Sequence, residues 1–288
     1  MSGVLSVGEA LNEARARLRD AGSGTAALDA RVLAAHAFGM SAGELILHEA
    51  KPVPPRAFAR FSDAVARRAR AEPVAYITGV REFWSLDFAV GPGCLIPRPD
   101  SEAIVAAVLD ALGTRKGALR ILDLGTGSGC LLLALLNELP RAQGVGLDIE
   151  WSAVRTARAN ALRLGLAGRA AFVLGDWAAA LSGPFDVIVA NPPYIPSAEI
   201  AALPPDVRDY EPGAALDGGV DGLEAVRAVL VRVGELLAPE GLAAIELGPG
   251  QAPAVERMGR ITAGLRRRRA VEDLAGRTRG IVFSRAGN

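Results

Sequence analysis

The hydrophobic pattern changes period along the chain. In SVGEALNEARARLRDAG the apolar positions Val7, Leu11, Ala14 and Leu18 recur at helical spacing. Ser6 stands where an N-cap belongs, and Glu9, three residues on, completes a capping box. AALDARVLAAHAF, SAGELILHE and PPRAFARFSDAVARRARAE supply three more amphipathic segments. Residues 1–75 are therefore expected to form a small helical bundle, with no evident chemistry of its own. Residues 76–100, YITGVREFWSLDFAVGPGCLIPRPD, change character. Phe83, Leu86, Phe88 and Val90 alternate only roughly, but β-rich composition and turn residues predict a hairpin that links two domains.

Residues 101–288 are expected to form the second domain, and from about residue 118 its pattern is strand–helix–strand. LRILDL, AQGVGLD, RAAFVLG, FDVIVA and GLAAIEL are short apolar runs. CLLLALLNEL, WSAVRTARANALRLG and DGLEAVRAVLVRVGELL are helical. This alternation predicts an α/β fold, an open and mostly parallel sheet with helices on both faces. LRRRRAVEDLAGRTRGIVFSR suits a closing antiparallel hairpin. Ligands of such sheets bind beyond the carboxyl ends of the strands. That rule brings GTGSG, Asp148, Asp176 and NPPY to one edge, because each directly follows a strand.

Composition narrows the partners. Half the 288 residues are apolar, 22% are charged, and formal net charge is zero. A soluble globular protein with a sizeable core is expected, without a broad electrostatic grip on nucleic acid. Cys94 and Cys130 are the only cysteines and His36 and His48 the only histidines. Neither a disulfide framework nor a metal site is expected. The first twenty residues lack a signal-peptide apolar region, and no apolar run is long enough to span a bilayer. A cytoplasmic, monomeric protein is the expectation.

The strand ends carry the candidate chemistry. Gly125, Gly127 and Gly129 alternate with Thr126 and Ser128 where the first strand turns into a helix, and glycines there let the backbone approach a ligand closely. Asp148 ends the second strand, 23 residues after Gly125. A carboxylate there can accept hydrogen bonds from both hydroxyls of a ribose. NAD and S-adenosylmethionine both carry one, and Asp148 equally suits a cap of the next helix. Trp177, after the third strand, can lie against an adenine, with Asp176 near its exocyclic amine.

NPPY, Asn191–Tyr194, ends a buried strand with an amide, two prolines and a phenol. An amide nitrogen is a poor nucleophile because its lone pair is delocalised into the carbonyl. A site that methylates one must hold both its hydrogens and aim the lone pair. The Asn191 side-chain oxygen and the Pro192 carbonyl are two acceptors whose placement Pro192 and Pro193 stiffen. The Tyr194 ring can cover a planar NH2-bearing group and favour a nearby sulfonium cation. No histidine or cysteine base stands near these loops. The methylated nitrogen is acidic and sheds its proton readily, so positioning and electrostatics would carry the catalysis.

The chain resembles the HemK/PrmC family, the peptide chain release factor N5-glutamine methyltransferases. EPVAYITGVREFW from Glu72, LIPRPDSE from Leu95, ILDLGTGSGC, ANPPYIP, YEPGAALDGGVDGL from Tyr210 and IELGPGQ from Ile245 follow that family's pattern in order. The commonest family form has threonine where Ser101 stands, and the hydroxyl is kept. The resemblance implies a helical N-terminal bundle, a hairpin linker and a Rossmann-like class I methyltransferase domain. It implies S-adenosylmethionine held by Gly125 to Gly129, Asp148 and Trp177. The implied substrate is the glutamine of the Gly-Gly-Gln tripeptide in class I release factors, gripped by Asn191 to Tyr194. Arg98 and Glu102 belong either to the active-site wall or to an ion-paired linker.

Two other functions fit parts of the pattern. NPPY is shared with adenine-N6 DNA methyltransferases, but these need a basic duplex-binding face. The one dense basic run, Arg266–Arg269, is far from NPPY in sequence and reads as a solvated strand edge. A non-catalytic cofactor-binding module would have no use for an intact NPPY.

Overall fold

The structure is a computed structural model and describes residues 5–115, 117–177, 181–273 and 275–286. The first four residues of the expected bundle lie outside them. The chain forms two compact units, Met1–Val80 with Pro204–Tyr210, and Arg81–Leu203 with Glu211–Asn288.

The first unit is helical: α1 (Val7–Asp20), α2 (Ala26–Phe38), α3 (Ala42–Leu47), α4 (Pro55–Arg68) and α5 (Val74–Thr78). Ser6 and Glu9 form the expected capping box, and Ser41 with Glu44 forms a second one on α3. Leu18, Leu33, Leu45 and Phe61 are fully buried in its core. Asp29 is buried with its partners: it accepts the hydroxyls of Ser23 and Thr25, and Arg68 pairs with it at 2.7 Å. Pro204–Tyr210 returns to this unit through Asp206, paired with Arg68, and through the Tyr210 hydroxyl, which donates to the Arg70 carbonyl. α5 covers the start of the segment expected to be a hairpin, because Pro73 before Val74 opens a helical turn that Gly79 closes in the left-handed region.

The hairpin itself is β1 (Val80–Phe83) and β2 (Leu86–Ala89). Its turn residues Trp84 and Ser85 both have positive φ, 54° and 57°, which suits the strand twist but strains a side chain. Glu102 accepts the Trp84 backbone N–H at 2.8 Å, and Glu138 accepts its indole N–H at 2.9 Å.

After α6 (Glu102–Leu112) the α/β pattern runs β3 (Arg120–Leu124), α7 (Cys130–Glu138), β4 (Gln143–Asp148), α8 (Trp151–Arg163), β5 (Ala170–Leu174) and β6 (Phe185–Ala190). Then come α9 (Pro205–Arg208), which lies in the first unit, α10 (Glu224–Leu236), β7 (Leu237–Glu246), α11 (Ala252–Ala263), β8 (Leu265–Glu272) and β9 (Thr278–Arg285). The seven strands order as β5-β4-β3-β6-β7-β9-β8. The first five are parallel, and β9 joins antiparallel to β7 and β8. Period-two alternation splits the core: Ile121, Val187 and Leu242 face the layer of α6, α7 and α8, and Leu122, Ile188 and Ala243 face that of α10 and α11. The chain reverses its direction of sheet growth between β3 and β6, which puts the switch point where the glycine turn and NPPY emerge. Arg266–Arg269 lie on edge strand β8, exposed, with Arg267 and Arg269 paired to Glu256 and Asp110. Such charge guards an edge against further pairing.

Candidate active site

The turn after β3 is tied to β4 at three points. The N–H groups of Gly125 and Thr126 both donate to the Leu147 carbonyl at 2.9 Å, and that of Gly127 donates to Asp148 Oδ2 at 2.8 Å. Asp148 Oδ1 accepts the Glu150 N–H at 2.9 Å. Burial pushes the Asp148 carboxyl up from its ordinary value, and these two N–H groups oppose the shift. Each oxygen keeps a lone pair for a further donor. Glu150, not Asp148, is the N-cap residue of α8 and makes no side-chain cap, so Asp148 serves the loop.

A Cβ at Gly125 would stand 3.1 Å from the Trp177 ring, so the indole lies directly over this backbone. Gly127, at φ +55°, would direct its Cβ into open space. Gly129 matters for packing instead. A Cβ there would meet Leu133 and Ala157 at 3.1 and 3.2 Å, so its absence lets α7 and α8 approach. Below the turn, the Thr126 hydroxyl donates to the buried Asp123 at 2.7 Å, and burial raises that carboxyl to about 7.

These groups wall a cleft of about 450 Å3. Gly125, Thr126, Gly127, Ser128, Asp148, Asp176, Trp177, Asn191 and Pro193 all reach it. Gly129, Pro192 and Tyr194 do not contribute to its wall; Pro192 is buried and Tyr194 half-buried. More of the lining comes from within two stretches that hydrophobic periodicity does not flag, Gly93–Ser101 and Pro212–Asp217. One carboxylate joins them: Glu211 accepts the Ile96 N–H at 3.1 Å and pairs with Arg98 at 2.6 Å. Arg98 therefore lies on the cleft and is ion-paired as well, whereas Glu102 serves the hairpin turn. Buried Asn160 holds Ala89 of the hairpin by both backbone groups and donates to the Ser128 carbonyl.

NPPY leaves β6 directly. The Asn191 Nδ2 group donates to the Ser101 hydroxyl at 3.3 Å. Gln251 Nε2 donates to the Tyr194 and Gly222 carbonyls at 3.0 and 3.1 Å, which fastens the motif to the loop before α10. Burial raises the Tyr194 phenol to about 12, and the nearby Glu246 adds to the shift. Cys94 and Cys130 both line the cleft, where no cysteine was expected near these loops; they share no disulfide, and burial pushes both thiols up, so they stay protonated at neutral pH and offer no thiolate base. Among the described residues no group of three metal-ligating side chains occurs, and no helix is long and apolar enough to cross a membrane.

A seven-stranded sheet with one antiparallel strand, β9, inserted between β7 and β8, a glycine turn, an acidic end to the second strand and a cleft at the switch point together make the architecture of a class I S-adenosylmethionine-dependent methyltransferase. Comparison with known proteins agrees. Residues 9–79 match the PrmC N-terminal domain and residues 103–202 the methyltransferase small domain. The chain is 48% identical to a release factor glutamine methyltransferase of Rhodospirillum rubrum, over 98% of this chain and 86% of the relative. It is 45% identical to that of Bradyrhizobium diazoefficiens, over 95% and 94%. Among solved structures, a methyltransferase from Pyrococcus furiosus superposes with a TM-score of 0.53 at 21% identity, over 78% of this chain and all of that one. A ribosomal protein L11 methylase from Lactobacillus delbrueckii subsp. bulgaricus gives 0.51 at 20%, over 69% and 84%. The structural matches share the fold. The chain belongs to the family of release factor glutamine methyltransferases.

Proposed function

We propose that this chain methylates the side-chain amide nitrogen (N5) of the glutamine in the Gly-Gly-Gln motif of class I peptide chain release factors. The observation that carries this reading is the position of Asn191, at the end of β6, on the wall of the same cleft as Gly127 and Asp148.

The cleft suits an adenosyl cofactor. Its volume lies within the range of small-molecule sites, Gly127 leaves backbone open to a ligand, and Asp148 has lone pairs to spare for ribose hydroxyls. Gly125, Thr126, Gly127, Ser128, Asp148, Asp176 and Trp177 would hold it. S-adenosylmethionine, when bound, supplies a methyl group on a positively charged sulfur. The protein's part is to hold the acceptor. Asn191 Oδ1, on the cleft wall, would take one amide hydrogen, and the carbonyl of Pro192, the next residue but not part of that wall, would take the other, so that the nitrogen lone pair, which stands perpendicular to the amide plane, is aimed in one direction. Pro193, also on the wall, and the half-buried Tyr194 after it would complete the grip on the amide. Both histidines, His36 and His48, belong to the first unit, so the second unit offers no imidazole base. The nitrogen becomes acidic on methylation and yields its proton to solvent.

The first unit, residues 1–75 in the main, would dock the body of the release factor, since the reacting group is one side chain of a large protein. The enzyme would act as a cytoplasmic monomer without nucleic acid. The test is mass spectrometry of release factors from cells lacking this chain. Loss of one methyl group on the Gly-Gly-Gln peptide is expected, restored by the wild-type gene and not by Asn191→Ala. A peptide methylated to the same extent in both cells would refute the reading.

A further inference from the structure

IELGPGQ, from Ile245 to Gln251, carries the chain from β7 into α11. Gln251 stands at the N-cap position of α11, yet its side chain makes no cap. It serves more distant groups instead. Oε1 accepts the Gly248 N–H at 2.9 Å, and Nε2 donates to the carbonyls of Tyr194 and Gly222 at 3.0 and 3.1 Å. These partners fix which end of the amide is which, since an N–H needs the oxygen and the two carbonyls need the NH2 group. The same turn holds Tyr194 a second time: a Cβ on Gly248 would stand 3.1 Å from its ring. Gly222 comes closer still, where a Cβ would stand 2.4 Å from the Tyr194 carbonyl oxygen. One half-buried amide therefore joins NPPY, the loop before α10 and the turn after β7.

NPPY needs such a hold. Proline fixes φ but leaves ψ free, and it has no N–H with which to join a ladder. It is ψ that decides where a residue's carbonyl points. The ladder of β6 reaches Ala190, which pairs with Leu124 and Ile245. Pro192 and Pro193 are then set from their far side. There Gln251 grips the Tyr194 carbonyl, and the Ile195 N–H donates to the Leu216 carbonyl at 3.1 Å. The second hold is main chain to main chain; the first is a side chain that substitution can remove. Gln251 does not itself line the cleft, so whatever it does for the reaction passes through Tyr194. We propose that Gln251 is a positioning residue for methyl transfer: by holding the Tyr194 carbonyl it sets the NPPY main chain, so that the Pro192 carbonyl converges with Asn191 Oδ1 on the substrate amide. The inference rests on the reading of NPPY as the grip on that amide.

The test is single-turnover methylation of purified class I release factor, at saturating S-adenosylmethionine and over a range of enzyme in excess of release factor. Calorimetry gives cofactor affinity, and its stoichiometry counts the folded enzyme. Gln251→Ala removes all the side-chain contacts. Gln251→Glu keeps the length and the acceptor for Gly248 but turns a carboxylate on two carbonyls. Each is expected to lower the maximal rate constant about ten- to a hundredfold, because a small misplacement of a gripping group is felt in the chemical step. Cofactor affinity and the half-saturating enzyme concentration are expected to stay unchanged. Ser197→Ala is the control. Its hydroxyl donates to Asp217 at 2.7 Å and joins the same two stretches beyond the motif, so its loss should leave the rate constant as it is. Wild-type rate constants in both Gln251 variants, beside an impaired Asn191→Ala enzyme, would overturn the positioning role alone. So would a loss that disappears once divided by the folded enzyme, or an equal loss in Ser197→Ala. An unimpaired Asn191→Ala enzyme would overturn the amide-gripping reading itself.

Discussion

Asp148 holds the backbone N–H of Gly127, 21 residues earlier in the chain, at 2.8 Å. A carboxylate at the end of β4 thereby sets the height of the glycine turn after β3. Asp148→Ala should lose both this tie and a charge-assisted contact to the cofactor ribose. Affinity for S-adenosylmethionine is expected to fall by roughly 1.5–3 kcal/mol, about ten- to a hundredfold or somewhat more. Calorimetric titration checks it, and unchanged affinity in a folded variant would confine Asp148 to shaping the turn.

Glu211 is the second carboxylate with two duties, holding Ile96 and Arg98 from one loop while standing at the start of another. Its side chain is 1% exposed, so Glu211→Ala leaves a backbone N–H unpaired and Arg98 without its partner. The expected cost is about 2–4 kcal/mol of stability, read from urea unfolding, together with a looser cleft wall. Glu102→Ala, which releases only the Trp84 N–H, should cost less, about 1 kcal/mol. Equal costs for the two would contradict the assignment of Glu211 as the join between loops.

Burial raises Glu246 to about 7 from 4.5, against the opposing influence of Ser101, Arg279 and Arg98 and with that of Asp100. The folded state therefore holds a proton that the unfolded chain has released, between about pH 4.5 and 7. Stability contributed by this group is full below the lower value and is lost as pH rises through the upper one. Glu246→Gln should remove that slope and leave the variant more stable than wild type above pH 7, by about 1–3 kcal/mol. Thermal unfolding across this range tests it. Unaltered pH dependence would contradict its burial as a titrating acid.

Ile46 and Leu47 at the end of α3 are 71% and 79% exposed, and Leu28 on α2 is 58% exposed. Apolar side chains so placed in the first unit suit a protein partner better than water. Leu47→Asp is expected to raise KM for intact release factor about tenfold, with kcat and cofactor affinity unchanged. Steady-state kinetics on the whole protein decide it: an unaltered KM would remove this face from the docking surface.

Elements with a strong local signal could be read directly. The capping box of α1, the strands β3 to β6 and the hairpin of β8 and β9 follow from caps, apolar runs and turns that lie within a few residues of one another. So do the glycine turn, Asp148 and Asn191, because each follows a strand whose end the pattern marks. α6 escaped because EAIVAAVLDAL is apolar almost all round and shows little contrast between faces, and α11 because APAVERMGRITA has proline at its second position and mixes its charges among its apolar positions. The lining of the cleft is a different matter. Glu211 reaches 113 residues back to Arg98, and Asn191 reaches 90 back to Ser101. The return of Pro204–Tyr210 to the first unit through Arg68 is of the same kind. Hydrogen bonds and ion pairs of this length leave no periodic trace, since each needs only two compatible side chains brought together by the sheet. Local rules therefore yield the strands and the groups at their ends, and the folded chain alone determines which distant side chains meet around the cleft.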